Sequence, residues 1–148
     1  MQLLLENTFG SGNLIGSDLK EIGEVIRRAG EPEHLGVCFD TCHAWAAGYR
    51  LDNYTSWRET LAVFDDVIGL DRLKVLHIND SKTVFNSKRD RHAHLGEGSI
   101  GLEGFRAMLQ MPELVNLPGL LETPDEGDYQ GYRRDLDLLK RLRAEING

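Results

Sequence analysis

A chain of 148 residues of which 41% are hydrophobic has the size of one domain and can bury a substantial core. Its net charge of −7 excludes a generally basic nucleic-acid-binding surface, although nucleic acid is not excluded as a substrate. Because no apolar run approaches the ~20 residues that cross a bilayer and Met1 leads directly into strand-like sequence, we expect neither a membrane span nor a signal peptide, and a cytoplasmic protein.

Short apolar strands alternate with amphipathic helices along the whole chain. The strands are predicted at residues 3–8, 35–42, 73–79 and 118–123. The helices are predicted after a cap at Ser17 or Asp18, from a capping box at residues 56–59, over about residues 102–110 and over about residues 132–146. Two long loops, at about residues 43–55 and 80–101, follow the second and third strands.

Strands that alternate with helices indicate a parallel sheet with right-handed crossovers. Four βα units make half of an eight-stranded barrel, so we predict an α/β fold, a parallel (βα)4 half of a TIM barrel that forms a single domain over residues 1–148. Four parallel strands by themselves expose two sheet edges and an apolar inner face. We therefore expect completion by self-association, with an open four-stranded layer covered by helices as the alternative.

Each predicted strand ends in a side chain that can bind a metal ion. These side chains are Glu6, Asp40, His77 and Glu122. Any one of them alone has an ordinary explanation, as an ion-paired core acid or a buried histidine with a hydrogen-bond partner. Because the C-terminal ends of parallel strands meet at one edge of the sheet, their joint occurrence predicts a shared metal site.

Two further groups extend this set. His43 follows Asp40 by three residues, and the run Asp90-Arg91-His92 lies in the second long loop. The Asp-x-His spacing suits chelation of one ion by neighbouring side chains, with a solvated polar loop as the alternative. Seven oxygen and nitrogen ligands are too many for one ion, which indicates a multi-zinc hydrolytic site. Within it we predict that Glu6 and Glu122 are catalytic.

The second long loop is also locally cationic. Its basic residues are Lys82, Lys88, Arg89 and Arg91. Such a strip suits contacts with phosphate groups, and solvated surface charge is the alternative. Bound zinc ions would also reverse the sign of the potential where the acidic ligands converge. We therefore predict that these four residues bind DNA. Two cysteines, Cys38 and Cys42, are expected to be small buried core residues, with a metal or redox role as the alternative.

Five stretches of the chain carry a resemblance to a known family. They are LENT at 5–8, GVCFDTCHAWAAGY at 36–49, HINDSK at 77–82, DRHAHLGEG at 90–98 and LET at 121–123. In these stretches the chain resembles the C-terminal half of the endonuclease IV family, zinc-dependent apurinic/apyrimidinic endonucleases on a TIM barrel. The resemblance covers essentially the whole chain.

The resemblance implies a role for each candidate residue. Glu6 would bridge two zinc ions, and Asp40, His77 and Glu122 would complete the shell of the second. His43, Asp90 and His92 would hold the third, and Arg91 would grip the DNA backbone near the lesion. In this family the phosphodiester 5′ to an abasic site is cleaved, and the first zinc ion also takes two histidines from an N-terminal half that this sequence does not contain.

The sequence thus predicts a DNA-repair endonuclease that holds two or three Zn²⁺ ions, with Mn²⁺ as an alternative metal. Its predicted partners are DNA with abasic sites and either a second copy or a complementing N-terminal half-barrel. A different class of function is a sugar isomerase or epimerase of the related TIM-barrel superfamily, which needs only Glu6, Asp40, His77 and Glu122 around one Mn²⁺ or Mg²⁺. A third is an inactive fragment that binds metal or DNA.

Overall fold

A computed structural model describes residues 1–125 and 127–148, and a four-stranded parallel sheet lies at its centre. Its strands are β1 (Leu3–Glu6), β2 (Leu35–Asp40), β3 (Leu73–His77) and β6 (Gly119–Leu120), in the order β1-β2-β3-β6. A separate antiparallel ribbon pairs β4 (Asp80–Ser81) with β5 (His92–Ala93). The predicted α/β fold, a parallel half of a TIM barrel, is confirmed.

Helices follow the strands of the large sheet. They are α1 (Leu19–Arg28), α2 (Thr41–Ala47), α3 (Tyr54–Val67), α4 (Gly101–Leu109) and α5 (Gln130–Asn147). The Asp18 side chain caps α1 by accepting a hydrogen bond from the backbone N–H of Lys20. In the part of the chain that the structure describes, no helix is both long and apolar enough to cross a bilayer.

The helical boundaries after β2 correct two expectations. The capping box predicted at residues 56–59 is wrong, because Asn53 caps α3 by accepting the N–H of Ser56 at 3.0 Å and the helix starts earlier. The predicted loop also contains α2, which is too short to show a hydrophobic period. Asp40 caps α2 by accepting the N–H of His43, and Gly48, at φ 108°, ends it in a left-handed conformation.

The apolar core lies between the sheet and its helices. All six residues of β2 are buried, and this strand lies in the middle of the sheet, between β1 and β3. Phe39 points towards the helices, where its ring lies 6.2 Å from that of Trp57 and 6.0 Å from that of Phe64. The opposite face of the strand carries Cys38 and Asp40. The strand therefore anchors the fold with one face and presents polar groups with the other.

The two outer strands leave the sheet open. Leu3 on β1 is 58% exposed and Leu120 on β6 is 53% exposed. The last strand is shorter than predicted, since only Gly119 and Leu120 pair with β3. Glu122 lies just beyond it and is held by a side chain, because its N–H donates to Oδ1 of Asn79 at 2.8 Å. Each open edge thus ends close to one of the predicted metal ligands.

Candidate metal centre

Four strand-end side chains converge at the C-terminal edge of the sheet. They are Glu6, Asp40, His77 and Glu122, and each offers one ligand atom within 4.8 Å of the others. The register explains the convergence, because Asp40 lies beside His77 and His77 lies beside Leu120, two residues before Glu122. Nδ1 of His77 lies 3.0 Å from Oε1 of Glu6 and 3.1 Å from Oε2 of Glu122. The predicted meeting of these residues is therefore seen in the structure.

A second group lies against the first and shares Asp40 with it. His43 and His92 each place Nε2 close to the Asp90 carboxylate, at 3.3 and 3.0 Å. Nε2 of His92 also lies 3.9 Å from Oδ2 of Asp40. Ligand atoms of Asp40, His43 and His92 lie within 4.8 Å of one another, as do those of Cys42, Asp90 and His92. All seven side chains predicted to bind metal therefore belong to one continuous cluster.

The two histidines of the second group fit a bound cation. Within the described residues, Nε2 of His43 and Nε2 of His92 are buried and have no hydrogen-bond partner, although Asp90 is close to both. Buried polar atoms are normally hydrogen-bonded. Two imidazole nitrogens that meet a carboxylate without bonding to it have the positions that two ligands of a common ion would need. The chemistry of these ligands, imidazole and carboxylate, suits zinc.

Backbone carbonyls orient both imidazoles. Nδ1 of His43 lies 2.9 Å from the carbonyl oxygen of Asn7, and Nδ1 of His92 lies 2.9 Å from that of Glu122. A carbonyl oxygen only accepts, so in the neutral form of both rings Nδ1 carries the proton and donates it. Each Nε2 is then left with a lone pair directed into the site. This is the outer-sphere arrangement that metal-binding histidines use.

Two buried amides hold the acidic ligands, and sequence reasoning assigned neither of them a role. Asn7 donates from Nδ2 to the carbonyl of Asp40 at 3.0 Å and accepts the Asp40 N–H at 2.7 Å. Asn79 donates to Oδ2 of Asp40 at 2.7 Å and also accepts the N–H of Glu122. Their signal in the sequence is position alone: Asn7 directly follows Glu6 at the end of β1, and Asn79 lies two residues after His77, where β3 ends.

The loop that carries Asp90 and His92 is organised by another acid that the sequence analysis did not single out. Asp80 is buried and accepts hydrogen bonds from five backbone N–H groups at 2.7–3.3 Å. The donors are those of Ser81, Gly96, Gly98, Ile100 and Gly101. Gly98 is required there, because a Cβ on it would lie 2.4 Å from Oδ1 of Asp80. The Asp80 carboxylate thus binds backbone N–H groups at both ends of the loop that spans residues 80–101.

Mutual interactions shift the pKa values of the clustered groups. Burial opposes the charged form of His43, but Glu6, Asp40 and Asp90 outweigh it and raise the pKa of His43 to about 9. Burial would also raise the pKa of Glu6, yet His43 and His77 lower it. For Asp40 burial dominates, and the pKa of this carboxyl is raised despite the neighbouring imidazoles. Without metal, the cluster therefore contains a buried acid whose ionisation is unfavourable.

The stability of the metal-free protein is expected to fall at alkaline pH. Because the folded-state pKa of His43 is about 9 against an ordinary value of 6.5, its favourable contribution is complete below about pH 6.5 and is lost as the pH rises through about 9. At about 1.4 kcal/mol for each unit by which the folded and ordinary pKa values differ, the loss is about 3–4 kcal/mol. Urea denaturation in the presence of a chelator between pH 6 and pH 9.5 measures it. His43→Gln should lack this loss, and an equal loss in the variant would contradict the assignment.

The predicted DNA-binding residues lie at the surface but differ in their contacts. Lys88 donates from Nζ to the carbonyl of Ala47 at 2.8 Å, at the C-terminal end of α2, where a cation is favoured by the helix dipole. Arg91 donates from Nη1 to its neighbour, the Asp90 carbonyl. Lys82, Arg89 and Arg91 are all exposed. Of the four, Lys88 therefore has a structural role of its own.

Comparison with known proteins places the chain in a family. A family model described as a xylose isomerase-like TIM barrel matches residues 1–142. The chain belongs to the xylose isomerase-like TIM-barrel family. Its parallel sheet, with ligand side chains at the C-terminal strand ends, has the architecture that this description names.

Relatives within this xylose isomerase-like family are endonucleases by name. A probable endonuclease 4 of Halothermothrix orenii is 45% identical over 144 residues, which is 97% of this chain and 51% of the relative. One from Clostridium botulinum is 45% identical over 139 residues, 94% of this chain and 49% of the relative. The chain spans about half the length of the curated relatives it matches.

A solved structure agrees with these sequences. The crystal structure of endonuclease IV from Thermus thermophilus superposes with a TM-score of 0.82 at 36% identity, over 97% of this chain and 50% of that one. The resemblance to the endonuclease IV family is confirmed, and the relatives' double length agrees with a half-barrel.

The cysteines of this xylose isomerase-like half-barrel are buried free thiols, as predicted. Burial, together with the carboxylates of Glu6 and Asp40, raises the pKa of Cys38 to about 12. The pKa of Cys42 is raised to about 12 mainly by burial. The two do not share a strand, however, because Cys42 lies in α2. Both thiols are therefore protonated at neutral pH.

Proposed function

We propose that the chain is the metal-binding half of a DNA-repair endonuclease that cleaves the phosphodiester 5′ to an abasic site with two or three zinc ions. The observation that carries the proposal is the cluster of seven candidate oxygen and nitrogen ligands, in which Asp40 joins the group around His77 to that of His43 and His92, and His92 joins Asp90 to them. Relatives at 45% identity that are named probable endonuclease 4 support it.

The second ligand group favours this function over sugar isomerisation. One Mn²⁺ or Mg²⁺ ion in an isomerase would need only Glu6, Asp40, His77 and Glu122, which meet in the structure. His43, Asp90 and His92 would have no task in that reaction, yet two of their imidazole nitrogens point at a shared position. Imidazole ligands also suit zinc better than magnesium. The family description itself keeps the isomerase as the second candidate.

Exposure divides the acidic ligands into two kinds. The side chain of Asp40 is fully buried, whereas those of Glu6 and Glu122 are 36% and 48% exposed. Glu6 and Glu122 can therefore touch both a bound ion and the substrate. In the proposed reaction they orient the attacking water and one of them accepts its proton, while the new bond from water oxygen to phosphorus forms and the bond from phosphorus to the departing 3′ oxygen breaks. Asp40 would only hold metal. Bound zinc ions supply the Lewis acidity that phosphodiester cleavage needs.

Cleavage of defined DNA tests the proposal. The full chain, purified without metal and then supplied with ZnCl₂, is incubated with a labelled duplex that contains one abasic site, and with the same duplex without it. We expect a single nick 5′ to the abasic site, and no nick after His43→Ala and His92→Ala substitution. Interconversion of an aldose and a ketose with no nick would establish the isomerase instead. Binding without nicking, by the chain alone and also with an N-terminal half-barrel added, would establish the inactive fragment.

The proposed endonuclease needs a second half-barrel. The chain covers only about half of its relatives, and the β1 and β6 edges are open beside Leu3 and Leu120. The resemblance also assigns two histidine ligands of the first zinc ion to the N-terminal half of the barrel, which lies outside these 148 residues. We propose that these edges pair with another four-stranded unit, which is a second copy or an N-terminal half-barrel. Light scattering with zinc present should show a dimer; a monomer that gains nicking activity when an N-terminal half is added would identify that half instead.

The cationic loop is expected to contribute affinity for DNA rather than metal binding. Arg91→Ala and Arg89→Ala should each weaken binding to an abasic duplex several-fold and reduce the dependence of log Kd on log salt by about one. Fluorescence anisotropy between low and moderate salt measures both quantities. Lys140→Ala, which removes an exposed cation on α5, is the matched control. An unchanged salt dependence in the arginine variants would show that this loop does not contact phosphate.

A further inference from the structure

An acid outside the metal cluster is as deeply buried as Asp40. Asp135 lies on α5 and is 1% exposed. Its Oδ2 accepts hydrogen bonds from the Thr123 hydroxyl at 2.6 Å and from Nδ1 of His94 at 2.9 Å. Its Oδ1 accepts the backbone N–H of Leu95 at 3.2 Å. Burying a carboxylate is costly, so bonds of this number and shortness indicate a defined task.

The partners of Asp135 lie next to two of the predicted metal ligands. Thr123 directly follows Glu122, and His94 follows His92 by two residues. The two ligand-bearing segments also touch each other, because Nδ1 of His92 donates to the carbonyl of Glu122. Asp135 therefore joins, through one carboxylate, the strand that carries His92 and the segment that carries Glu122.

The packing of α5 makes this contact close. Gly131 lies one turn before Asp135 and faces the same two segments. A Cβ at Gly131 would lie 2.5 Å from the carbonyl oxygen of Pro124 and 2.7 Å from Cε1 of His94. Any larger residue would push the helix away from the metal centre. The helix thus reaches the ligand-bearing segments only because a glycine lies at this turn.

We propose that Asp135 is a positioning residue of the metal centre, which sets the separation and orientation of His92 and Glu122 through His94, Leu95 and Thr123. The inference rests on the proposed function, since it requires that these ligands bind metal. Groups that hydrogen-bond directly to a metal ligand change metal affinity by about 10- to 100-fold when they are removed, and we expect an effect of this order for Asp135, which acts through the neighbours of two ligands. They also fix ligand geometry, which the visible absorption of bound Co²⁺ reports.

Cobalt titration of the full chain, freed of metal by a chelator, tests the proposal. Asp135→Ala should weaken Co²⁺ binding by about 10- to 100-fold and alter the visible spectrum of the bound ion. Thr123→Val, which removes only the hydroxyl that Asp135 accepts from, should act in the same direction, and Thr123→Ser should restore the wild-type values. Leu142→Ala is the control, because it destabilises the same helix from a buried position about two turns beyond Asp135.

The outcomes separate the inference from the proposed function. Wild-type affinity and spectrum in both Asp135→Ala and Thr123→Val would overturn the positioning role while metal binding stands. An equal loss of affinity in Leu142→Ala would overturn it as well, since general destabilisation would then suffice. A wild-type chain that binds no cobalt would overturn the proposed function itself, and this inference with it.

Discussion

Asp40→Asn is expected to abolish the stabilisation of the protein by zinc while leaving the metal-free protein at least as stable as wild type. Asp40 is the one side chain shared by the ligand group around His77 and the group that contains His43 and His92. The amide cannot replace an anionic ligand, so both groups lose affinity. A wild-type chain held at about 100 times the dissociation constant for zinc gains about 2.7 kcal/mol, and the variant should lose this gain.

The metal-free part of the prediction follows from the pKa of Asp40. Burial raises this pKa, so the ionised form destabilises the folded state, and the cost is complete above the folded-state pKa and absent at acid pH below the unfolded value. At neutral pH the neutral amide removes that cost. Its Oδ1 can still accept the N–H of His43, so the loss is confined to the bond from Asn79, whose acceptor Oδ2 becomes a donor.

Urea denaturation at neutral pH, with zinc and with a chelator, measures both effects of Asp40→Asn. Asp66→Asn, an exposed acid on α3, is the matched control and should leave both values unchanged. If the variant is several kcal/mol less stable than wild type without metal, the main role of Asp40 is to stabilise the fold and not to bind metal. A variant that keeps the zinc-dependent gain would remove Asp40 from the ligand set.

Asp80→Ala is expected to cost about 3–5 kcal/mol of stability and to remove one metal ion from the protein. The variant leaves five backbone donors without their acceptor, and each unsatisfied buried donor costs about 1–3 kcal/mol before relaxation. The loop that these bonds close carries Asp90 and His92. Glu6, His77 and Glu122 depend on the sheet and on Asn79, so their group should survive.

Elemental analysis after dialysis, together with urea denaturation, tests the expectation for Asp80. Gly98→Ala should act in the same direction, because its Cβ would collide with the Asp80 carboxylate. Asp66→Ala again serves as the control for loss of a surface acid. If Asp80→Ala retains the full metal content, the loop does not supply ligands; if it loses all metal, the two groups are not separable.

The cluster explains why stability and binding oppose each other here. Glu6, Asp40, Asp90 and Glu122 bring four carboxylates to one edge of the sheet, and the imidazoles among them are their cationic partners only when protonated. Like charges that converge in a buried site repel until a cation joins them. Protonated His43 offsets part of this repulsion in the metal-free protein, and the surrounding amides and backbone bonds hold the side chains in place.

The local sequence pattern was sufficient to predict the parallel-sheet architecture and to identify the candidate metal ligands. Alternating strands and helices predict a parallel sheet, and parallel strands end at one edge whatever their other contacts are. Glu6, Asp40 and His77 could therefore be placed together from their positions alone. The same reasoning failed for α2, because a helix of seven residues has too few turns to show a period, and its cap, Asp40, had been assigned only to metal.

Only the tertiary structure revealed the residues that hold the ligands. Asn7 bonds to Asp40 across 33 positions and Asp135 bonds to His94 across 41. Asp80 accepts hydrogen bonds from backbone N–H groups up to 21 residues away. A polar side chain buried against distant backbone has no characteristic spacing, since its partner is chosen by how the loops fold and not by the period of a helix or strand. That the candidate ligands at the strand ends meet at one edge of the sheet was therefore readable from the chain, and what keeps them in place was decided by packing.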